Sequence, residues 1–209
     1  MKLIIQNFLV FLSTIAGLKW TFHINAIKRK MAKGFGVICK AKRMLKKETL
    51  ITLYYSFVYP YLQYGIIAWG NTYTNVIDPI IKLQKKVVRV ISSSDWNAPS
   101  DPIFKSLNLL PAHKVYILNV LLLMYKVTFC LVPNIFSNIF IRNYDVHNYF
   151  TRQSDYYHVS AWRLEMVRRS IRIQGVHYWN LIQEKIDCYT SFVTFKYRVK
   201  KYLLANELD

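Results

Sequence analysis

Acidic residues are scarce in this sequence. Its 209 residues include 11 Asp and Glu against 29 Lys and Arg, which gives a formal net charge of +18. Such an excess repels itself and attracts polyanions. Nucleic acid is therefore the first candidate partner, and an anionic membrane surface is the second.

Motifs of several enzyme classes are also missing. The chain has no Gly-rich phosphate loop, no GxSxG and no HExxH, and none of its seven aspartates are adjacent to one another. Asp145 and Asp155 lie near His147 and His158, so a metal site there is conceivable. We favour ordinary hydrogen-bonding roles for these residues, and we predict no catalytic residue and no metal site.

Cysteine is rare as well. Cys39, Cys130 and Cys188 are odd in number, far apart and without CxxC spacing. This pattern argues against a disulfide framework and against a zinc knuckle. We interpret the three thiols as buried small hydrophobic groups in a reducing, intracellular compartment, with no choice between cytoplasm and nucleus.

Long uninterrupted apolar runs are limited to two candidates. Residues 3–18 loosely imitate a signal peptide or an anchor, but Gln6 and Asn7 interrupt the run. Residues 115–132 carry Lys126 near their centre, which costs about 2.5–3.5 kcal/mol on insertion scales. A buried helix is the better interpretation of the second run, so we do not expect a membrane partner.

What the chain has in abundance is positive charge near its start. Residues 1–49 hold 11 basic residues and one acidic residue, Glu48. Basic helical faces of this kind can neutralise phosphates without reading sequence. The candidate nucleic-acid-binding residues are Lys28, Arg29, Lys30, Lys33, Lys40, Lys42, Arg43, Lys46 and Lys47. A weaker second candidate surface consists of Arg152, Arg168, Arg169 and Arg172.

Aromatic residues make up 16% of the chain, including 16 tyrosines. Tyrosine combines an apolar ring with a polar tip, which suits half-buried positions and stacking on bases. The densest run lies within residues 54–69. We interpret most of its members as core residues whose tips are hydrogen-bonded, and base stacking is the alternative.

The hydrophobic periodicity predicts a mainly α fold, a helical bundle followed by a small basic helical C-terminal region. We expect a helix over residues 21–47 that Gly34 and Gly36 interrupt, and a helix that Pro60 ends or kinks. Asp-Pro pairs predict helix starts at residues 78 and 101. A long apolar helix should follow Pro111. Residues 142–160 should form a linker with local strands or turns, and residues 161–173 should form a basic helix or strand. Phe192–Leu204 should form a final amphipathic helix.

Seven segments, in order along the chain, resemble one protein family. They contain Lys19-Trp20 with His23-Ile24 and Met31 to Gly34; LYYSFVYPYLQYG at 53–65; AWGNT at 68–72; LQKKVVRVI at 83–91; HNYFTRQ at 147–153; Gly175 with Trp179-Asn180; and Phe195-Lys196 to Leu203-Leu204. Together they resemble the region that follows the polymerase palm in LINE-type, jockey-like non-LTR retrotransposon reverse transcriptases.

The resemblance spans roughly residues 18–204 and has three departures. Phe150 stands where the family usually has Asn, Gln183 stands where it usually has Pro, and the approach to Trp20 lacks the family's Asp. We interpret residues 1–18 as remnant or non-homologous sequence. The motif positions that we interpret as structural are Trp20, His23, Pro60, Tyr64, Gly65, Trp69, Gly70, Gln84, Arg89, His147, Arg152, Trp179 and Asn180.

The resemblance implies a thumb-like helical region over 19–141 and a basic C-terminal region over 142–209. In the family the thumb grips the template–primer duplex, and the palm supplies the carboxylates that hold two catalytic metal ions. This chain has no such aspartate pair, so magnesium would belong to a palm upstream in an intact element, and this chain needs no cofactor of its own. We therefore expect a non-catalytic fragment that binds RNA, DNA or RNA/DNA duplex non-specifically.

Two other functions stay open at the level of sequence. One is a membrane-associated basic protein that uses an apolar run as an anchor and keeps the Lys-rich segment on the cytoplasmic side. The other is a decoy or protein-interaction remnant without a selected role. Such a remnant would bind nucleic acid no better than any equally charged protein.

Overall fold

Helices dominate the structure, a computed structural model that describes residues 20–133, 136, 139–146, 152–206 and 208. These residues contain no strand, and only an isolated antiparallel bridge pairs Arg142 with Tyr157. The predicted mainly α class is confirmed. The helices are α1 Thr21–Ala41, α2 Lys47–Phe57, α3 Tyr59–Gln63, α4 Ile66–Trp69, α5 Thr74–Ser92, α6 Ser100–Ser106, α7 Ala112–Thr128, α8 Asn143–Val146, α9 Glu165–Arg168, α10 Ile171–Gln183 and α11 Phe192–Ala205.

The chain divides into two compact units, Met1–Tyr116 and Ile117–Asp209. The division falls inside α7. The predicted remnant over 1–18 lies outside the described residues. The family-based regions 19–141 and 142–209 stay a prediction.

Helix α1 runs through both of its glycines, so the predicted interruption is wrong. Its buried stripe recurs every three or four residues, at Ile24, Ile27, Met31, Gly34 and Ile38. A Cβ on Gly34 would lie 2.5 Å from the carbonyl oxygen of Phe57, so glycine lets the end of α2 approach the α1 backbone closely. This packing outweighs the roughly 0.5–1 kcal/mol that a mid-helix glycine costs relative to alanine.

Three short helices follow α1 in the first unit. Helix α2 ends at Phe57, and Pro60 lies in the first turn of α3, where its missing N–H is tolerated. The chain then turns at Gly65, whose φ of 61° is a left-handed conformation that favours glycine. Gly70 follows the last residue of α4.

Helix α5 begins at Thr74, four residues before the predicted start. Pro79 therefore lies inside the helix. Because proline has no backbone N–H, the carbonyl of Asn75 lacks its helical hydrogen bond, and Asn75 is exposed to solvent. Asp78 does not cap the helix but pairs with Lys82 at 2.6 Å, one turn later. Helix α6 also begins early, at Ser100, so Asp101 lies in its first turn.

The second unit packs α10 and α11 with the later part of α7. A Cβ on Gly175 would lie 2.9 Å from the sulfur of Met124, so α10 needs a glycine at this contact. Trp179 and Phe195 are buried with ring centroids 5.8 Å apart. The predicted final helix is confirmed, since α11 spans Phe192–Ala205 and buries Phe195, Val199 and Leu203.

The predicted burial of the cysteines holds only for Cys188. Cys39 is half-buried, and Cys130 is exposed just beyond the end of α7, where its φ is 54°. The cysteine spacing does not reveal that Cys130 lies past a helix end in a left-handed conformation. Burial raises the pKa of Cys188 to about 11, so its thiol stays protonated and unreactive.

None of the helices in the described part of the chain is both long and apolar enough to cross a membrane. Helix α7, which contains most of the second apolar run, has 17 residues. The first run, residues 3–18, lies outside the described residues.

Candidate nucleic-acid interface

The nine candidate residues form a continuous basic segment over residues 28–47. Its first five members lie on α1, the next three lie in the connection from α1 to α2, and Lys47 is the first residue of α2. All nine side chains are exposed. We call Lys28, Arg29, Lys30, Lys33, Lys40, Lys42, Arg43, Lys46 and Lys47 the basic segment.

On α1 the charges point away from the core. Arg29, Lys33 and Lys40 are separated by four and seven residues, which places them on one helical face. That face is opposite the stripe that contains Met31 and Ile38, which are both fully buried. The hydrophobic stripe therefore fixes the orientation of the helix and presents these cations to solvent.

No described carboxylate forms an ion pair with a residue of the basic segment. The ion pairs of the described chain involve Asp78, Glu165 and Asp187. Within the segment, Arg29 donates a long hydrogen bond to the carbonyl of Asn25 at 3.4 Å, which leaves its charge uncompensated. An unpaired cluster of cations is a surface that attracts polyanions.

The helix geometry stabilises part of this charge. Lys40 lies in the last turn of α1, and Lys42 and Arg43 follow directly. The free carbonyls at a helix C-terminus carry a partial negative charge, which favours nearby cations. The segment can therefore concentrate positive charge without an acidic partner.

The structure separates the aromatic run into buried and exposed members. Tyr54 and Trp69 are buried, and Tyr59 is half-buried. Tyr61 is 36% exposed and Tyr64 is 62% exposed. Burial raises the pKa of the Tyr54 and Tyr59 hydroxyls. The buried rings build the core, and only the exposed ones can meet a ligand.

Gln84 is the most completely bonded of the motif residues. It is 1% exposed, and its amide nitrogen donates to the Tyr54 hydroxyl and to the carbonyl of Leu110, both at 2.9 Å. Its amide oxygen accepts from the backbone N–H of Ala112 at 2.8 Å. The side chain therefore ties α5 to α2 and to the start of α7, which is a structural role.

A second motif cluster surrounds the N-terminal turn of α1. His23 contacts Trp20 and Trp69 with ring centroids 5.7 and 6.1 Å apart. Trp69 is buried, and its indole N–H donates to the carbonyl of Tyr64 at 2.9 Å. Burial lowers the pKa of His23, and the charge of Lys30 lowers it further. The neutral imidazole acts here as a packing group.

Three further motif residues hold turns. A Cβ on Gly70 would lie 2.6 Å from the carbonyl oxygen of Ile66, so only glycine fits at the end of α4. Arg89 donates from Nε to the carbonyl of Ala98 at 2.9 Å, which fixes the loop between α5 and α6. The side chain of Asn180 makes two hydrogen bonds with the backbone of Tyr157. Its Oδ1 accepts from the Tyr157 N–H at 3.1 Å, and its Nδ2 donates to the Tyr157 carbonyl at 2.9 Å.

The weaker candidate surface is only partly assembled. Arg168 and Arg169 both pair with Glu165, which offsets part of their charge. The Arg172 guanidinium lies 5.5 Å from the ring centroid of Trp162. Arg152 is exposed. His147 lies outside the described residues, and among those described no group of three His, Cys, Asp or Glu side chains could hold a metal ion.

One feature of this region is not apparent from the sequence. Phe57, an apolar residue at the end of an apolar helix, is 43% exposed. The Nζ of Lys30 lies 5.4 Å from the ring centroid of nearby Tyr61. The sequence does not distinguish Phe57 from the other apolar residues around it.

Comparisons of the chain with protein-family models, with curated proteins and with solved structures found no match.

Proposed function

We propose that this chain is a non-catalytic part of a LINE-type reverse transcriptase, from the region after the palm. In this proposal it binds RNA, DNA or RNA/DNA duplexes without sequence preference. The motif order supports the family assignment, and the basic segment supports the binding. The observation that carries the proposal is the exposure of nine cations that have no carboxylate partner among the described residues.

The physical basis of the binding is the release of counterions from the phosphate backbone. Each phosphate that a Lys or Arg neutralises adds about 0.9 to the slope of log affinity against log salt for B-form DNA. If six or more of the nine cations contact phosphates, affinity should fall by about 10³-fold or more between about 50 and 200 mM salt. Base identity should matter little, because exposed cations on helices contact the backbone.

The test compares two variants that remove the same charge from different places. The first replaces Lys28, Arg29, Lys30 and Lys33 by glutamine. The matched control replaces one arginine and three lysines that are exposed in the second unit, by the same residue: Arg163, Lys185, Lys196 and Lys201. Binding to a fluorescently labelled RNA/DNA primer–template duplex is measured across a range of salt concentrations.

We expect the first variant to bind more weakly and to lower the salt slope by about 2–4. The control variant should keep most of the slope, since it changes net charge but not the basic segment. Equal slopes for the two variants would show that only net charge matters, and the proposal would fail. It would also fail if the unaltered chain did not bind the duplex.

A further inference from the structure

Two aromatic side chains remain exposed beside α1, although they belong to apolar helices. Phe57 is the last residue of α2 and is 43% exposed, and Tyr61 in α3 is 36% exposed. Tyr54 and Leu62, their neighbours along the same chain, are fully buried. We call Phe57 and Tyr61 the aromatic shelf.

The aromatic shelf borders the basic segment directly. A Cβ on Gly34 would lie 3.1 Å from the Cβ of Phe57, so this part of α1 touches the shelf. One turn earlier on α1, the Nζ of Lys30 lies 5.4 Å from the ring centroid of Tyr61. Lys33 immediately precedes Gly34 and is exposed. Aromatic rings and unpaired cations thus share one stretch of surface.

We infer that the aromatic shelf stacks on unpaired bases of single-stranded RNA or DNA, while the basic segment holds the adjacent phosphates. The inference rests on the proposed function and narrows its substrate class. Bases in a duplex are already stacked and offer no free face, whereas every unpaired base offers one. Charge complementarity favours a nucleic acid as the ligand of the aromatic shelf, because the cations beside the rings attract a polyanion.

The contact between Lys30 and Tyr61 is compatible with such stacking. An exposed cation–π contact is weaker than the stacking of a base on an aromatic ring. Lys30 is exposed and has no carboxylate partner among the described residues. An incoming base can therefore take the ring face, and the displaced ammonium can follow the phosphate of the same nucleotide.

The experiment measures the affinity of the full chain for two labelled probes at one salt concentration. One probe is an oligothymidylate of about 16 nucleotides, near the upper end of known single-strand sites, and the other is a DNA duplex of the same length. The variant Phe57→Leu with Tyr61→Leu keeps apolar bulk and removes both ring faces. We expect its affinity for the single strand to fall about 10-fold or more, and its affinity for the duplex to change less than about 2-fold.

Tyr197→Leu is the matched control, because Tyr197 is 65% exposed in the second unit. It should leave both affinities unchanged. Far-ultraviolet circular dichroism checks the fold of each variant. If the double variant unfolds, Tyr61→Leu alone gives the same test with a loss of about 5-fold or more.

The outcomes separate this inference from the proposed function. An equal loss for both probes, or no loss for either, would overturn the inference, and the second result would favour a protein partner for the shelf. In both cases the proposed function stands as long as the duplex binds with a salt slope that depends on the basic segment. A wild-type chain that binds neither probe would overturn both proposals.

Discussion

The two glycines of α1 provide a sharp test of how the first unit is packed. They are two residues apart on the same helix but have opposite surroundings. A Cβ on Gly34 would lie 2.5 Å from the carbonyl oxygen of Phe57, whereas a Cβ on Gly36 would meet nothing within 4 Å. Gly34→Ala and Gly36→Ala are therefore chemically identical changes with opposite expected effects on stability.

Both substitutions gain about 0.5–1 kcal/mol from the higher helix propensity of alanine. At Gly36 nothing opposes this gain, so the variant should be stabilised by that amount. At Gly34 the new methyl group must push α1 and α2 apart by roughly 1 Å, and overpacking of this kind costs about 1–3 kcal/mol. The net result should be a destabilisation of about 0.5–2 kcal/mol.

The assay is urea-induced unfolding, followed by the helical circular dichroism signal, with the free energy of unfolding compared among the wild type and both variants. A combined Gly34→Ala and Phe57→Ala variant tests the cause. The closest contact is with the carbonyl of Phe57 and not with its ring, so trimming the ring should not restore stability. If Gly34→Ala stabilised the chain as much as Gly36→Ala does, the close approach of α1 and α2 would be refuted.

Two further predictions follow from buried groups. Gln84→Leu should lower the free energy of unfolding by about 3–5 kcal/mol, because it leaves the Tyr54 hydroxyl, the Leu110 carbonyl and the Ala112 N–H without their partner. Tyr54→Phe should cost only about 1–2 kcal/mol, and a loss as large as that of Gln84→Leu would contradict the network. For His23, the folded-state pKa is below the unfolded value of 6.5, so the unfolded state binds more protons between these two values. The contribution of His23 to stability should therefore be fully present above pH 6.5 and be lost as the pH falls below it, and His23→Phe should flatten this part of a urea midpoint-against-pH curve.

Much of the fold was predictable because it depends on local periodicity. The apolar spacing of α1 and α11 and the break at Pro60 are properties of short stretches of chain. The same reasoning placed the start of α5 incorrectly, because Pro79 was treated as a start signal. A proline in the second turn removes only one hydrogen bond, and the exposed carbonyl it leaves can be solvated.

The candidate interface was predictable in part for the same reason. A run of basic residues without acidic neighbours is visible in the sequence, and the helical period places Arg29, Lys33 and Lys40 on one face. The role of the aromatic run was not predictable at this level. Tyr54 and Tyr61 look alike in sequence, yet one is fully buried against Gln84 and the other lies exposed beside Lys30.

The sequence by itself determined the helical class and the location of the positive charge. Only the tertiary structure decided that Gly34 is a contact point and not a break, that Gln84 joins three segments, and that Phe57 stays exposed. These properties depend on which helices meet, and residues 23 or more positions apart make the contacts. Local periodicity determines which face of a helix is apolar. Only packing decides what that face contacts and which aromatic rings stay exposed to solvent.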